Sequence, residues 1–221
     1  MYLSGLDRGW IFLYEKLAEP TQEPKRYTKA DMDDFAASFA NWPVNEELKV
    51  KDVYNGTTAG MSNLEEGILE HWSLGRIVLA GDACHKFTPN AGLGFTNGIQ
   101  DVALLCNLLH NAVKAGAHSN VNADALQKVF LQYQAMRKAA VEFDWSVSSA
   151  TTCAHAWANP IYWFFARFLF PIYAFQWYLH TYVVAPRVKQ GWVLDYVFGE
   201  DRIPKGRIGW DHPIHEKGKS L

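Results

Sequence analysis

Within one short stretch stand a carboxylate at Asp82, an imidazole at His85, two closely spaced glycines at Gly92 and Gly94, and a second carboxylate at Asp101. A carboxylate at the end of a strand can accept hydrogen bonds from ligand hydroxyls. Glycines let backbone N–H groups approach a ligand with no Cβ in the way. A helix starting just beyond them adds unpaired donors and the positive end of its dipole, both of which favour negative charge. Such a set suits a polyhydroxyl chain ending in a ring that becomes anionic. The same residues also fit an ordinary strand–loop–helix connection.

The elements needed to position these residues are legible nearby. Ile77, Val78, Leu79 and Ala80 form an apolar run bounded by Gly75 and Gly81, which predicts a buried strand. Pro89, Gly92 and Gly94 punctuate a loop. From about Thr96, the residues Ile99, Val102, Ala103, Leu105, Cys106 and Leu109 recur at helical spacing.

The order Gly81-Asp82-x-x-His85, Pro89, Gly92-Leu93-Gly94 and Ile99-Gln100-Asp101 resembles the second flavin-binding motif of the class A FAD-dependent monooxygenases. With Lys86, Thr88 and Asn90 included, it is most similar to the fungal members that act in secondary metabolism. The resemblance rests on several residues at fixed spacing and extends over roughly residues 8–140. It implies an α+β fold, the C-terminal part of an FAD-dependent hydroxylase. Asp82 would then bind the ribitol hydroxyls of FAD, and Pro89 would shape the wall on the reaction side. The backbone of Gly92, Leu93, Gly94 and Phe95 would face the anionic edge of the flavin ring. His85 would hold the loop by hydrogen bonding rather than move protons. The implied reaction is hydroxylation or epoxidation of a small hydrophobic substrate with NADPH and O2. Apolar C-terminal extensions in the family accompany greasy, prenylated substrates.

The motif departs from the family's usual residues at four places. Gln, then Gly or Ala, then Asn are usual where Leu93, Phe95 and Thr96 stand, and Glu is common at Gln100. No general acid or base is assigned. A class A monooxygenase also carries a strand–GxGxxG–helix unit for the FAD pyrophosphate. No such unit occurs in these 221 residues, nor does the family's Asp-Gly motif. The sequence therefore carries the ribitol and ring half of a site without its pyrophosphate half.

Bulk properties agree with a folded globular chain, about half apolar and a fifth charged. A net charge of −2 gives no electrostatic case for nucleic acid. Cys84, Cys106 and Cys153 are widely spaced, with no CxxC pair and no Cys/His ligand spacing, so neither a metal site nor a disulfide framework is expected. The first residues show no basic segment followed by an apolar core, so no signal peptide is expected.

Taken in order, residues 9–17 read as a strand with its hairpin partner upstream. Thr28 with Asp31 has the form of a helix N-cap followed by an acid. Ala36, Phe39 and Ala40 would carry that helix's apolar stripe, and Pro43 would end it. Beyond the polar break at 116–122, Asn122 reads as an N-cap. Leu126, Val129, Phe130, Tyr133, Arg137 and Val141 then follow helical spacing, read as packing. The expected organisation is a substrate-domain remnant over 1–72, the C-terminal part of the FAD-binding domain over 73–145, an aromatic-rich helical segment over 146–200, and a polar tail over 201–221, poorly ordered over 205–221.

Residues 161–184 are long enough to cross a hydrocarbon core about 30 Å thick. Arg167, Gln176 and His180 interrupt the apolar run, and Pro171 predicts a kink. A membrane-associated helical hairpin or interfacial segment is the first expectation and a single span the second. A buried helix pair is the alternative. The expected location is the cytoplasmic face of a membrane, with the soluble cytoplasm as the alternative. Three functional readings follow. The chain is an FAD-dependent monooxygenase shortened at its N-terminus, or a non-catalytic accessory subunit that binds a flavoprotein partner or a hydrophobic intermediate. The third is a helical membrane protein whose motif is coincidental.

Overall fold

The computed structural model describes residues 2–116, 121–199 and 208–215. They fall into two compact units, Met1–Leu64 and Glu65–Leu221. The fold is α+β, with long helices beside short antiparallel pairs.

In the first unit, β1 (Tyr2–Ser4) pairs antiparallel with β2 (Gly9–Ile11), so the upstream hairpin partner is present over three residues. Helix α1 (Lys29–Ser38) begins at the expected cap. The Thr28 side chain accepts from the Asp31 N–H at 3.2 Å, while the Asp31 carboxylate accepts from the Thr28 N–H at 2.7 Å. Helix α2 (Val50–Val53) follows, and Tyr54 donates its hydroxyl to Asp33 at 2.7 Å.

The second unit carries β3 (Gly67–Ile68), β4 (Ser73–Leu74), β5 (Ile77–Val78) and β6 (His85–Lys86). The expected buried strand at Ile77–Ala80 is corrected here. Only Ile77–Val78 forms a strand, paired antiparallel with β4, and Ile77 is 67% exposed. Among the described residues no further strand flanks this hairpin, so its apolar run has no sheet to enter.

Two helices form the body of this unit, α3 (Leu93–Ala115) and α4 (Ala123–His155). Helix α3 starts three residues before the sequence pattern suggested, directly after Gly92. That glycine takes φ +67°, a left-handed conformation open to residues without a Cβ. Asn122 caps α4 by accepting from the Ala125 N–H at 2.8 Å. The core gathers Trp72, Cys84, Phe87, Leu104, Tyr133 and Val141. Trp72 is fixed at both polar ends: its indole N–H donates to the Leu69 carbonyl and its backbone N–H to Gln134.

A strap crosses α3 on another side. The Gln100 amide donates to the Trp192 carbonyl at 3.4 Å and accepts the Trp192 N–H. One heptad along, Asn107 donates to the Val193 carbonyl at 2.7 Å and accepts the Asp195 N–H at 3.0 Å. Two side-chain amides thereby imitate a neighbouring β-strand. The Gln at position 100 is thus explained: a carboxylate could accept there but not donate. Part of the expected poorly ordered tail is also docked, since His212 stacks on Trp192 and the Gly199 N–H donates to the His215 carbonyl at 3.1 Å. The remainder of that tail lies outside the described residues.

Beyond α4 come α5 (Pro160–Phe164), a π-helical turn Phe165–Leu169, α6 (Tyr173–Leu179), a second π-helical turn His180–Val184, and α7 (Ala185–Val188). The kink expected at Pro171 separates the two helical arms. No helix among the described residues is long and apolar enough to cross a membrane, which corrects the reading of residues 161–184 as a single span. The buried helix pair is not formed either, because no residue from 160 to 190 is buried.

Gln100→Glu should weaken the strap by about 1–3 kcal/mol, since one donor is lost and a carboxylate meets a carbonyl. Hydrogen exchange at the Trp192 and Asp195 amides should accelerate while the α4 amides keep their protection.

Candidate cofactor site

The turn bearing Asp82 is a short 3-10 helix, Gly81–Ala83, entered through Gly81 at φ +59°. Gly81 lies against Gly98 of α3, where a Cβ on Gly81 would sit 3.6 Å from the Gly98 Cα. The Asp82 carboxylate is brought over the start of α3, so that a Cβ on Gly94 would lie 3.7 Å from its Oδ1. Asp82 is exposed and makes no hydrogen bond or ion pair among the described residues. Its acceptor capacity remains open beside the unpaired N–H groups of the first turn of α3.

What holds this turn is buried. Asp101, fully inaccessible, accepts the Gly81 N–H at 2.9 Å and His85 Nε2 at 2.6 Å on Oδ2, and Arg137 Nε at 2.7 Å on Oδ1. Because a carboxylate can only accept, His85 carries its proton on Nε2. Arg137 also donates to the Asn97 side chain at 2.7 Å, and Asn97 donates to the Leu93 carbonyl at 3.1 Å and to Asp144 at 2.9 Å. One network therefore ties the Asp82 turn, the first turn of α3 and the middle of α4. Burial raises the Asp101 pKa, but the donors from His85, Arg137 and Gly81 outweigh it and hold the carboxyl below its ordinary value. The Cys84 thiol is pushed up to about 12, first by burial and then by the Asp101 charge, so it stays protonated and inert.

His85 lies between the Trp72 and Phe87 rings and is 1% exposed. It fastens the loop through its bond to Asp101. Cys84, His85 and Asp101 offer three potential metal-ligand atoms within 4.8 Å of one another. Both carboxylate oxygens already hold donors, one of them a guanidinium, which disfavours a cation there.

A second fastening holds the Pro89 loop. Thr88 shares its hydroxyl with Ser148 at 3.0 Å, Ser148 donates to the Thr88 carbonyl at 3.1 Å, and Asn90 meets His155 Nδ1 at 3.0 Å. Burial lowers the His155 pKa. Pro89 itself is exposed at the start of a 3-10 turn, Pro89–Ala91.

The structure thus brings Asp82, Gly92, Leu93 and Gly94 to one place at the head of α3, with Pro89 and Phe95 on the adjoining loop and first turn. Phe95 stands 82% exposed, so its bulk is not packed into the helix start. Thr96 is exposed too, and the buried amide of this turn is Asn97. The residues present fit the ribitol and ring portion of a flavin: an open carboxylate, a glycine-lined helix start and its dipole. A shallow depression of about 300 Å3 on the other side of the turn carries Glu65, Glu66 and Asp82, with Lys86 already paired to Glu65 at 2.8 Å. Its acidity is wrong for a pyrophosphate. Sequence reasoning missed Arg137, Asn97 and the Thr88–Ser148 fastening as site supports. Tyr133-x-x-x-Arg137 was legible as a helical pattern similar to the family's, and its reach to Asp101 was not.

The glycine-lined helix start under an open aspartate lies within an α+β fold. The family model described as "FAD binding domain" matches residues 17–141. The FAD-dependent monooxygenase SAT1 of Stachybotrys chartarum is 43% identical over 203 residues, 92% of this chain and 69% of that protein. The FAD-dependent monooxygenase ausM of Penicillium brasilianum is 38% identical over 133 residues, 59% of this chain and 28% of that protein. The FAD-dependent monooxygenase DEP2 of Alternaria brassicicola is 30% identical over 214 residues, 92% of this chain and 39% of that protein. No solved structure matches. The chain belongs to the class A family of FAD-dependent monooxygenases, whose cofactor is FAD, and it spans well under half the length of several relatives.

Asp101→Asn should destabilise the second unit by about 3–5 kcal/mol, because it leaves the Arg137 charge buried without its counter-ion. The Asp101 pKa is depressed in the fold, so its contribution is present above the unfolded value and is lost as pH falls below it toward the folded one. The melting-temperature gap between wild type and Asp101→Asn should therefore be widest near neutral pH and close as pH drops below about 4.

Proposed function

We propose that the chain supplies the ribitol- and ring-binding part of a monooxygenase that transfers one oxygen atom from O2 to an apolar substrate. The observation that carries this reading is Asp82, an open carboxylate held by a buried clamp over the glycine-lined start of α3. When bound, FAD supplies the redox chemistry and is recharged by NADPH. The chain's own residues bind and orient. Asp82 accepts hydrogen bonds from the ribitol hydroxyls, and the Gly92–Phe95 backbone with the α3 dipole stabilises negative charge at the pyrimidine edge of the ring. The Pro89 loop, tied to α4 through Thr88 and Asn90, forms the wall on the substrate side. The substrate class is a prenylated secondary-metabolite intermediate, in keeping with the aromatic C-terminal arms, and a membrane surface is where such a molecule collects.

A second reading is favoured by one surface. Phe95, Ile99 and Val102 make an exposed apolar stripe on α3, starting at the half site. In this reading the chain is an accessory subunit whose stripe binds a flavoprotein partner bearing the pyrophosphate grip.

Asp82→Ala should abolish flavin binding, followed by quenching of flavin fluorescence and by the visible absorbance band, while the melting temperature stays within about 2 °C because the side chain is exposed. Stoichiometric flavin on the wild-type chain would defeat the accessory reading. A folded, colourless chain that takes up no FAD would remove the first reading.

A further inference from the structure

The two helical arms after α4 present an unusual surface. From residue 160 to residue 190 no side chain is buried. Tyr173 is 79% exposed, and Trp163, Phe168, Trp177, Tyr178 and Tyr182 are exposed as well. Between Tyr173 and Val184 the only polar side chains besides tyrosine and tryptophan are Gln176, His180 and Thr181. A helix apolar on every side belongs in a protein core or in lipid, and here the core does not cover it. Each of the two stronger polar groups makes one hydrogen bond to the arm's own backbone. Gln176 donates to the Phe170 carbonyl at 2.6 Å, across the break at Pro171, and His180 Nδ1 meets the Gln176 carbonyl at 2.7 Å. That removes much of the penalty for placing them among apolar chains.

Length decides how the arm can meet a bilayer. Tyr173 through Val188 advances about 24 Å at 1.5 Å per residue, short of the roughly 30 Å needed to span. Tryptophan and tyrosine are the types that settle at the membrane–water boundary. Charge decides which bilayer. Trp145 through Leu194 contains no aspartate or glutamate, while Arg167, Arg187 and Lys189 lie within it. Lys189 is paired with Asp211 at 3.1 Å. Arg187 rests on the Phe143 ring at 3.9 Å with its charge exposed, and Arg167 is exposed.

We propose that residues 160–188 are a monotopic anchor that lies in the interface of an anionic bilayer without crossing it. Aromatic and aliphatic side chains enter to the headgroup boundary, and Arg167 and Arg187 remain at the level of the lipid phosphates. This stands independently of the flavin site, and gives an apolar substrate dissolved in the same membrane a short route to the enzyme.

The purified full chain should be floated with extruded vesicles of phosphatidylcholine, with and without one-third phosphatidylserine. Binding to both is expected, several-fold tighter on the anionic vesicles and weakened by salt, since each basic residue near the surface contributes about fivefold. Arg167→Gln with Arg187→Gln should erase the anionic preference and retain binding to phosphatidylcholine. Trp177→Ser, Tyr178→Ser and Tyr182→Ser together should reduce binding at least tenfold on both, with unchanged circular dichroism and melting temperature, since none of the three is buried. Tryptophan emission should be quenched more by lipids brominated near the headgroup than by lipids brominated at the chain end. Failure to bind any vesicle, equal binding to both compositions, or the reverse quenching order would overturn the proposal. So would a stable dimer of the full chain that the triple variant dissociates, because the arms would then be covered by a second copy.

Discussion

The Asp101 carboxylate is the point on which the second unit turns. It is wholly buried, and it can stay charged there only because Arg137, His85 and the Gly81 N–H together replace its water. Desolvating an ion costs several kcal/mol, and breaking such a pair is more damaging than never having built it. Arg137 arrives from α4, Gly81 and His85 from a turn and strand four residues apart, and Asp101 itself stands on α3. Satisfying one charge therefore fixes three elements at once. Arg137 passes the constraint on through Asn97 to the first turn of α3 and to Asp144. A buried, fully satisfied polar network of this kind specifies one arrangement where an apolar core would tolerate several.

That rigidity has a use at the surface. Asp82 lies one residue from Gly81, so the clamp that holds Gly81 also aims the open carboxylate. Among the described residues Asp82 is left free of protein partners, and those that hold its turn are hidden. His85 shows the division most clearly: its place in the motif invites a catalytic role, yet its burial and its bond to Asp101 make it a strut.

Helix α3 divides the space around itself by face. Asn97, Asp101 and Leu104 turn to the core, Gln100 and Asn107 turn to the strap, and Phe95, Ile99 and Val102 turn outward. The departures from the family pattern at 95, 96 and 100 become intelligible in these terms. Gln100 serves the strap, while Phe95 and Thr96 stand clear of the packed interior. The family assignment rests on the motif and on relatives such as SAT1.

Local chemistry was legible from the sequence, because it depends on neighbours along the chain. The Thr28 and Asn122 caps, the helical spacing of α3 and α4, the Gly81-Asp82 turn and the family it marks were all read correctly. The reading failed where the outcome depended on what lies across space. Ile77–Ala80 has the composition of a buried strand, but burial needs a sheet on either side and only a hairpin forms. Residues 161–184 have the length of a span, but the break at Pro171 leaves two shorter arms. Arg137 counted as one more helical residue until tertiary packing brought its guanidinium to Asp101, 36 positions away. Periodicity and capping are properties of a segment, whereas satisfying a buried charge is a property of the whole unit, and only the folded structure decides it.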